Sequence, residues 1–515
     1  MNKKLISIII PFIYVLIVTG CDPGAKSRSQ GRAPLAAYEI DYKADTHDLG
    51  IKSIDVTPPK AGISTSGLAY ITQTGNTIFD GAVITASVYI TNTDTSDWTG
   101  VQMQAYTLSS GSATVCDADL GTGWFTDTPV NGAWGWIFTS GTSGSEFTIP
   151  ANGGQSADKV IGFNATTDFA ALVYIYADVP VITGTSPATA LTGDTVTISG
   201  YNFSTTEGSV TFNGITATVQ SWTDTSITAT VPDNATLGNI VVDSGDPYTA
   251  YSNPSLFTPY RVFSDDPSFV APIGITTDTT GNLYIAEFIN NAILESYPSG
   301  TISTYSSDPL LNNPADVAIG PDNALYVANY SGNNIITVSM AAPASVFASV
   351  GLNPVALAFS SEGQAWPLFT ANSGDGTISS IASDGTVTQF ASGFVSPNAI
   401  AVDNPGNVYV GDCNAGIGTI DRINAAGTVT TTIISGLVCP GTIKFDTSGN
   451  MYIFDSGTAT IYKYNQNIAC GSKMSVFAQD ISTNGDGGFV FSPDYSILYI
   501  TQDSPIIGII AVPLK

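Results

Sequence analysis

Short runs of alternating apolar and polar residues recur six times between Pro272 and Gln502. The interval is about 40 to 47 residues. The clearest copies are PIGITTDTTGNLYIAE (Pro272 to Glu287), PADVAIGPDNALYVAN (Pro314 to Asn329), PNAIAVDNPGNVYVGD (Pro397 to Asp412) and PGTIKFDTSGNMYIFD (Pro440 to Asp455). Two degraded copies run from Pro354 to Asn372 and from Asp486 to Gln502. In each copy a proline opens a run of period two, as in Ile273 and Ile275, which predicts a strand half-facing a core. An Asp-x-x-Gly-Asn turn follows in three copies (Asp278 to Asn282, Asp403 to Asn407, Asp446 to Asn450). Asp caps backbone donors there, and Gly and Asn tolerate positive φ. A second strand rich in β-branched and aromatic residues comes next, such as Leu283 to Ala286. Two weaker strands complete the unit, for example Ala292 to Tyr297 and Thr301 to Tyr305.

A period of this length built from short strands predicts a six-bladed β-propeller over residues 259–515, one four-stranded sheet per repeat. The sixth copy runs out early, with one strand, Ile506 to Val512, before the C-terminus. Tyr260 to Ser264 matches the outermost strands at Ser345 to Ala348 and Ser475 to Ala478. The two ends of the domain are therefore expected to pair in one blade, which removes open sheet edges. The Gly281 to Glu287 run with Asn290-Asn291 resembles the NHL-repeat family and, more loosely, the gluconolactonase-like six-bladed propellers. The resemblance covers about half of the chain and implies the fold. It does not imply one activity, because that superfamily holds both enzymes and binding modules.

The pattern upstream is also all-β. Residues 180–258 show short strands with Gly and Asn turns. Ser186-Pro187, Gly193, the strand Val196 to Gly200, Phe203, Phe212-Asn213-Gly214, Trp222, Ile227 and Val231-Pro232 resemble an IPT/TIG domain, an immunoglobulin-like sandwich. Such modules act as spacers or binding domains. Residues 51–179 carry strands at Val83 to Thr91, Gly100 to Leu108, Trp134 to Thr139 and Ala171 to Ala177, which predict another β-sandwich. Trp134 and Trp136 point to one face of a strand. They are either an aromatic platform for stacking sugar rings or part of the sandwich core.

The first residues change the setting. Lys3 and Lys4 precede an apolar stretch from Leu5 to Val18, which reads as a signal peptide over residues 1–20. Val18-Thr19-Gly20-Cys21 resembles the lipobox of bacterial lipoproteins. That resemblance implies a chain acylated at Cys21 and anchored to a membrane of the bacterial cell envelope, periplasmic or at the cell surface. Residues 21–50 read as a flexible tether.

Charged residues make up only 11% of the chain, yet the net charge is −27. Only Lys159 is basic between residues 61 and 259. This excludes a nucleic-acid partner, since phosphate contacts need clustered Lys and Arg. The only histidine, His47, lies in the predicted tether. No Ser-His-Asp set can therefore form in the folded domains, and chemistry built on a positioned imidazole has no residue to use.

Besides Cys21 there are Cys116, Cys413, Cys439 and Cys470, without zinc-ligand spacing. Cys413 follows a second strand and Cys439 precedes the next first strand, so both fall on one face of adjacent blades. Export permits oxidation, which makes Cys413–Cys439 the candidate disulfide. The residues ending the second strands, Glu287, Asn329, Asn372, Asp412, Asp455 and Gln502, all bear oxygen. Asp316, Asn398 and Asp486 lie near the starts of first strands, facing the same mouth. Such a ring suits Ca²⁺, or else it caps strand ends. Three functions follow. One is a lipid-anchored envelope binding or scaffold protein that presents the propeller to a protein or glycan partner, a reading that leans away from catalysis. Another is a purely structural role, with the propeller as an assembly module in an envelope complex. The alternative is a Ca²⁺-dependent lactonase- or esterase-like hydrolase with Asp412 or Asp455 as base.

Overall fold

The computed structural model describes fourteen strands between residues 36 and 176. It also describes residues 179–515 except 245–251, 253–254, 341, 361–364, 415, 425, 466–472, 482–486, 504–505 and 515. Cys21 with its leader, Cys470 and Asp486 lie outside the described residues. So do the side chains of Cys116, Trp134 and Trp136, whose strands are placed by their backbones.

The N-terminal strands form two six-stranded sheets and a two-stranded one. Ala36–Lys43 pairs antiparallel with both Asp48–Ile54 and Phe169–Tyr176. Much of the segment read as tether therefore belongs to this sheet. The reason is legible in hindsight: Tyr38, Ile40 and Tyr42 alternate with Glu39, Asp41 and Lys43, the period of a strand with one buried face. Ile40 is fully buried. Trp134–Phe138 pairs with Val101–Thr107, opposite Ala105 and Met103.

The next module is a sandwich. One sheet holds Val181–Ser186, Thr195–Tyr201, Ser226–Thr230 and Thr218–Trp222. Along Thr195–Tyr201 every second residue is buried, so Val196 and Ile198 enter the core with Phe203, Phe212, Ile227 and Phe257. Trp222 packs against that core and donates its indole N–H to the carbonyls of Phe203 and Ser204, both at 3.0 Å. Gly200 has no room for a side chain: a Cβ would stand 1.9 Å from the Val181 carbonyl oxygen.

Five antiparallel four-stranded sheets follow, starting at Pro272, Pro314, Pro354, Pro397 and Pro440. They are blades 1 to 5. Blade 6 combines Phe489–Phe491, Ile497–Gln502 and Gly508–Pro513 with a strand from far upstream, Ser255–Ser264. Arg261 pairs with Ala511 and Ser264 with Ile509, so the propeller ring closes by joining its two ends. Apolar residues of neighbouring blades fill the spaces between sheets. Ile285 and Leu294 of blade 1, for instance, pack with Tyr499 and Ile509 of blade 6.

The closing strand also belongs to the sandwich. Its first residues pair with Gly238–Asp243 and, in parallel, with Thr189–Leu191, while its last residues pair with Gly508–Pro513. One hydrogen-bonded sheet thus runs from the sandwich into blade 6. The expected boundary at residue 258 falls inside that strand. Further bonds brace the joint. Leu237 N–H donates to the Pro513 carbonyl at 2.7 Å, Gln479 N–H to Thr258 Oγ1 at 3.3 Å, and Thr189 Oγ1 to the Asp480 carbonyl at 3.4 Å.

Candidate functional site

The innermost strands of the blades surround a central channel. Its cavity holds about 40 Å³, room for little more than ordered water. The lining comes from the innermost strands, including Ile275, Ala315, Leu357, Ile400, Ile443 and Phe489. Two charged groups stand among them, Asp316 of blade 2 and Lys444 of blade 5. In a ring of six blades these positions are opposite one another. Burial pushes the Asp316 carboxyl above the usual aspartate range. The Lys444 ammonium and the N–H groups of Leu357 and Val317, both at 2.8 Å, oppose that shift. Asp316 thereby ties blade 2 to blade 3, since Leu357 belongs to the neighbouring sheet. Asn398 stays local, donating to Cys439 Sγ at 3.6 Å and accepting from Ser396 Oγ at 3.3 Å.

The six strand-end residues do share one register at the channel mouth, and all are buried. Four of them turn into the loop that enters their own blade. Glu287 accepts from the N–H groups of Val270 and Ala271 at 3.1 and 3.2 Å. Asp412 accepts from Val395 at 3.0 Å and Ser396 at 2.7 Å. Asp455 accepts from Val438 at 3.0 Å, Cys439 at 2.7 Å and Thr458 Oγ1 at 3.2 Å. Asn329 accepts from Asn312 N–H at 2.6 Å and donates to the Leu310 carbonyl at 3.0 Å.

The cause is the proline. The chain must turn before entering the innermost strand, and the N–H groups of that turn have no ladder partner, so a strand-end side chain supplies one. In blade 3 Asn372 instead donates to Thr377 Oγ1 and Ser379 Oγ. Asp375 takes over the capping of Leu352 N–H at 2.8 Å. In blade 6 Gln502 is buried at the register, while Thr501 Oγ1 accepts from Gly488 N–H and donates to the Ile273 carbonyl, both at 2.7 Å.

Burial raises the Glu287 carboxyl above the usual glutamate range, against the two N–H bonds that favour its charge. Among the described residues no three His, Cys, Asp or Glu side chains gather as a metal-holding group. Cys413 and Cys439 form a disulfide across blades 4 and 5 at this mouth, with S–S 2.05 Å and Cα–Cα 4.7 Å.

Around these buried caps lies a rim that the sequence reading missed. Val270, Ile289, Leu310, Leu352, Val395, Ile417 and Ile507 are exposed, Ile417 to 66%. Six lie in loops that enter an innermost strand or join the second strand to the third, and Ile417 is the first residue of the third strand of blade 4, hence all are on the mouth face. The overlooked signal was a repeated position: Val270, Leu352, Val395 and Val438 each stand two residues before the blade proline.

Comparison with known proteins adds to this geometry. The family model "IPT/TIG domain" matches residues 180–259. Residues 180–259 are an IPT/TIG domain. Its core residues Phe203, Phe212, Trp222 and Ile227 are those on which the resemblance rested. No curated protein matches the chain. Among solved structures, an auxiliary nutrient binding protein from Bacteroides ovatus ATCC 8483 is similar at 13% identity and a TM-score of 0.40, covering 65% of this chain and 98% of that one. Virginiamycin B lyase from Staphylococcus aureus is similar at 15% identity and a TM-score of 0.37, covering 58% and 94%. Likeness at this level extends to neither activity nor ligand.

Proposed function

We propose that the chain is a cell-envelope binding or scaffold protein that presents the mouth face of its propeller to a protein or glycan partner. The observation that carries this reading is the exposed apolar rim around the mouth of the channel. Proteins bury most large apolar groups, and a set of them left exposed on one face is a candidate interaction surface. The strand-end carboxylates of Glu287, Asp412 and Asp455, the centre of the hydrolase alternative, are already engaged by loop N–H groups. Anchoring through an acylated Cys21 would hold the chain at a membrane, and the IPT/TIG domain, sharing a sheet with blade 6, would hold the propeller in a set orientation.

The test is a screen of the purified full-length chain against envelope polysaccharides and secreted proteins, run beside a lactone and ester panel with and without EDTA. Saturable binding without turnover is expected. EDTA-sensitive hydrolysis without binding would overturn the proposal. Mass spectrometry of the N-terminal peptide tests the anchor: acyl groups on Cys21 are expected, and Cys21→Ser should release the chain into the soluble fraction.

A further inference from the structure

The rim has a particular electrostatic setting. No Lys, Arg or His occurs between Arg261 and Arg422, a stretch that holds blades 1, 2 and 3 and most of blade 4. The mouth loops carry Asp265, Asp266, Asp308, Asp375, Asp480 and Asp503 and no basic residue. Asp265, Asp375 and Asp480 are exposed. The face is therefore apolar and anionic at once, with no cation of its own to neutralise it. Two aromatic rings lie between blades 1 and 2 at the same level, Phe288 and Tyr330, with centroids 5.6 Å apart in an edge-to-face pair. Both are half-buried and held by backbone bonds, Asn313 Nδ2 to the Phe288 carbonyl at 3.0 Å and Asn353 Nδ2 to the Tyr330 carbonyl at 3.4 Å.

Resting on the binding function proposed above, we infer that the mouth face docks a cationic amphipathic polypeptide segment, whose apolar side chains meet the rim and whose Lys or Arg side chains meet the acidic loops. Charge complementarity chooses this occupant. An anionic lipid surface would be repelled by the face, and a neutral glycan would leave its carboxylates unanswered. The large exposed residues at Leu352, Val395 and Ile417 supply the apolar anchors, and the surrounding aspartates steer approach and select against anionic partners.

The experiment uses the purified full-length chain and three labelled peptides of equal length, alternating Leu with Lys, with Ser or with Glu, read by fluorescence anisotropy. Saturable binding of the Leu–Lys peptide alone is expected, weakening as salt rises. Leu352→Ser with Val395→Ser should weaken it by about tenfold or more. Asp265→Asn with Asp503→Asn should reduce its salt dependence. Met340→Ser, an exposed residue at the opposite end of blade 2, should change nothing. Equal binding of the three peptides, or binding by the double Ser variant at full strength with an unchanged melting temperature, would overturn the inference. Binding of an envelope polysaccharide but of no peptide would also overturn it and leave the binding function standing. Binding of neither, with measurable hydrolysis, would overturn both.

Discussion

Asp278 stands in the turn before one five-residue strand of blade 1, Leu283–Glu287, and Glu287 ends that strand, and their carboxyls shift in opposite directions. Asp278 sits in the turn at one end. Burial raises its pKa, but bonds from Thr280 Oγ1, Asn282 N–H, Thr280 N–H and Asn282 Nδ2 outweigh it, and the net shift is downward. Glu287 sits at the channel mouth, fully buried, where two N–H bonds do not offset the burial and the net shift is upward. Both carboxylates cap backbone donors. One does so within four residues in a half-exposed turn, and the other does so across sixteen to seventeen residues in the interior. The turn end is therefore a local device, repeated at Asp403 and Asp446 with a tyrosine hydroxyl completing each set at 2.9 and 3.1 Å. The mouth end is a tertiary device, buried and spent on the N–H groups of the incoming loop.

The largest expected effect comes from breaking the mouth device. Asp455→Ala removes the acceptor for three donors, two of them backbone N–H groups, and should cost about 3 kcal/mol by chemical denaturation. Cys439→Ala opens a loop with a sequence separation of 26 beside it. Its loss should also cost about 3 kcal/mol, which a reducing agent should reproduce in the unmutated chain. A smaller effect is expected at the turn end: Asp278→Ala should cost about 1 kcal/mol, because water can replace part of what is lost. If the turn variant proves the more damaging, the contrast between the two ends is wrong.

The pH dependence sharpens the same contrast. A lowered folded pKa means that the ionised form is favoured by folding. Asp278 thus contributes stability that is present at neutral pH and lost as pH falls through its folded pKa. Asp278→Asn should be less stable than the parent near neutrality and converge with it in acid. A raised folded pKa works the other way. Glu287 contributes a penalty that is absent in acid and grows as pH rises from the usual glutamate pKa through its own. Glu287→Gln should gain stability relative to the parent over that window. Urea midpoints at a series of pH values, with opposite slopes for the two variants, provide the check. The smallest effect is expected from Ca²⁺: with Glu287, Asp412 and Asp455 engaged by N–H groups, adding it to chelated protein should leave the melting temperature unchanged.

Much of the fold was legible because its signals are local. The prolines at 272, 314, 354, 397 and 440 open the innermost strands, and Tyr260 to Ser264 closes the ring as its likeness to Ser475 to Ala478 required. The register of the strand ends and the pairing of Cys413 with Cys439 were equally readable from spacing. The strand at Ala36–Lys43 is hard to see in the sequence, since Glu39, Asp41 and Lys43 interrupt Tyr38, Ile40 and Tyr42 in a segment otherwise rich in polar and small residues. Lys444 escaped notice as a channel group because nothing in its own repeat reveals that Asp316, three blades away, faces the same lumen.

Sequence alone thus determined the all-β class, the six repeats, the IPT/TIG module and the residue types at the mouth. All of these depend on periodicity and on contacts within one repeat. Only the tertiary structure decided where the mouth side chains turn and what surrounds them. A carboxylate's direction depends on which N–H the incoming loop leaves unpaired, and that is set by the packing of segments distant in the chain. The same packing gave the sandwich and the propeller one common strand, and it left the apolar residues before the blade prolines outside any core.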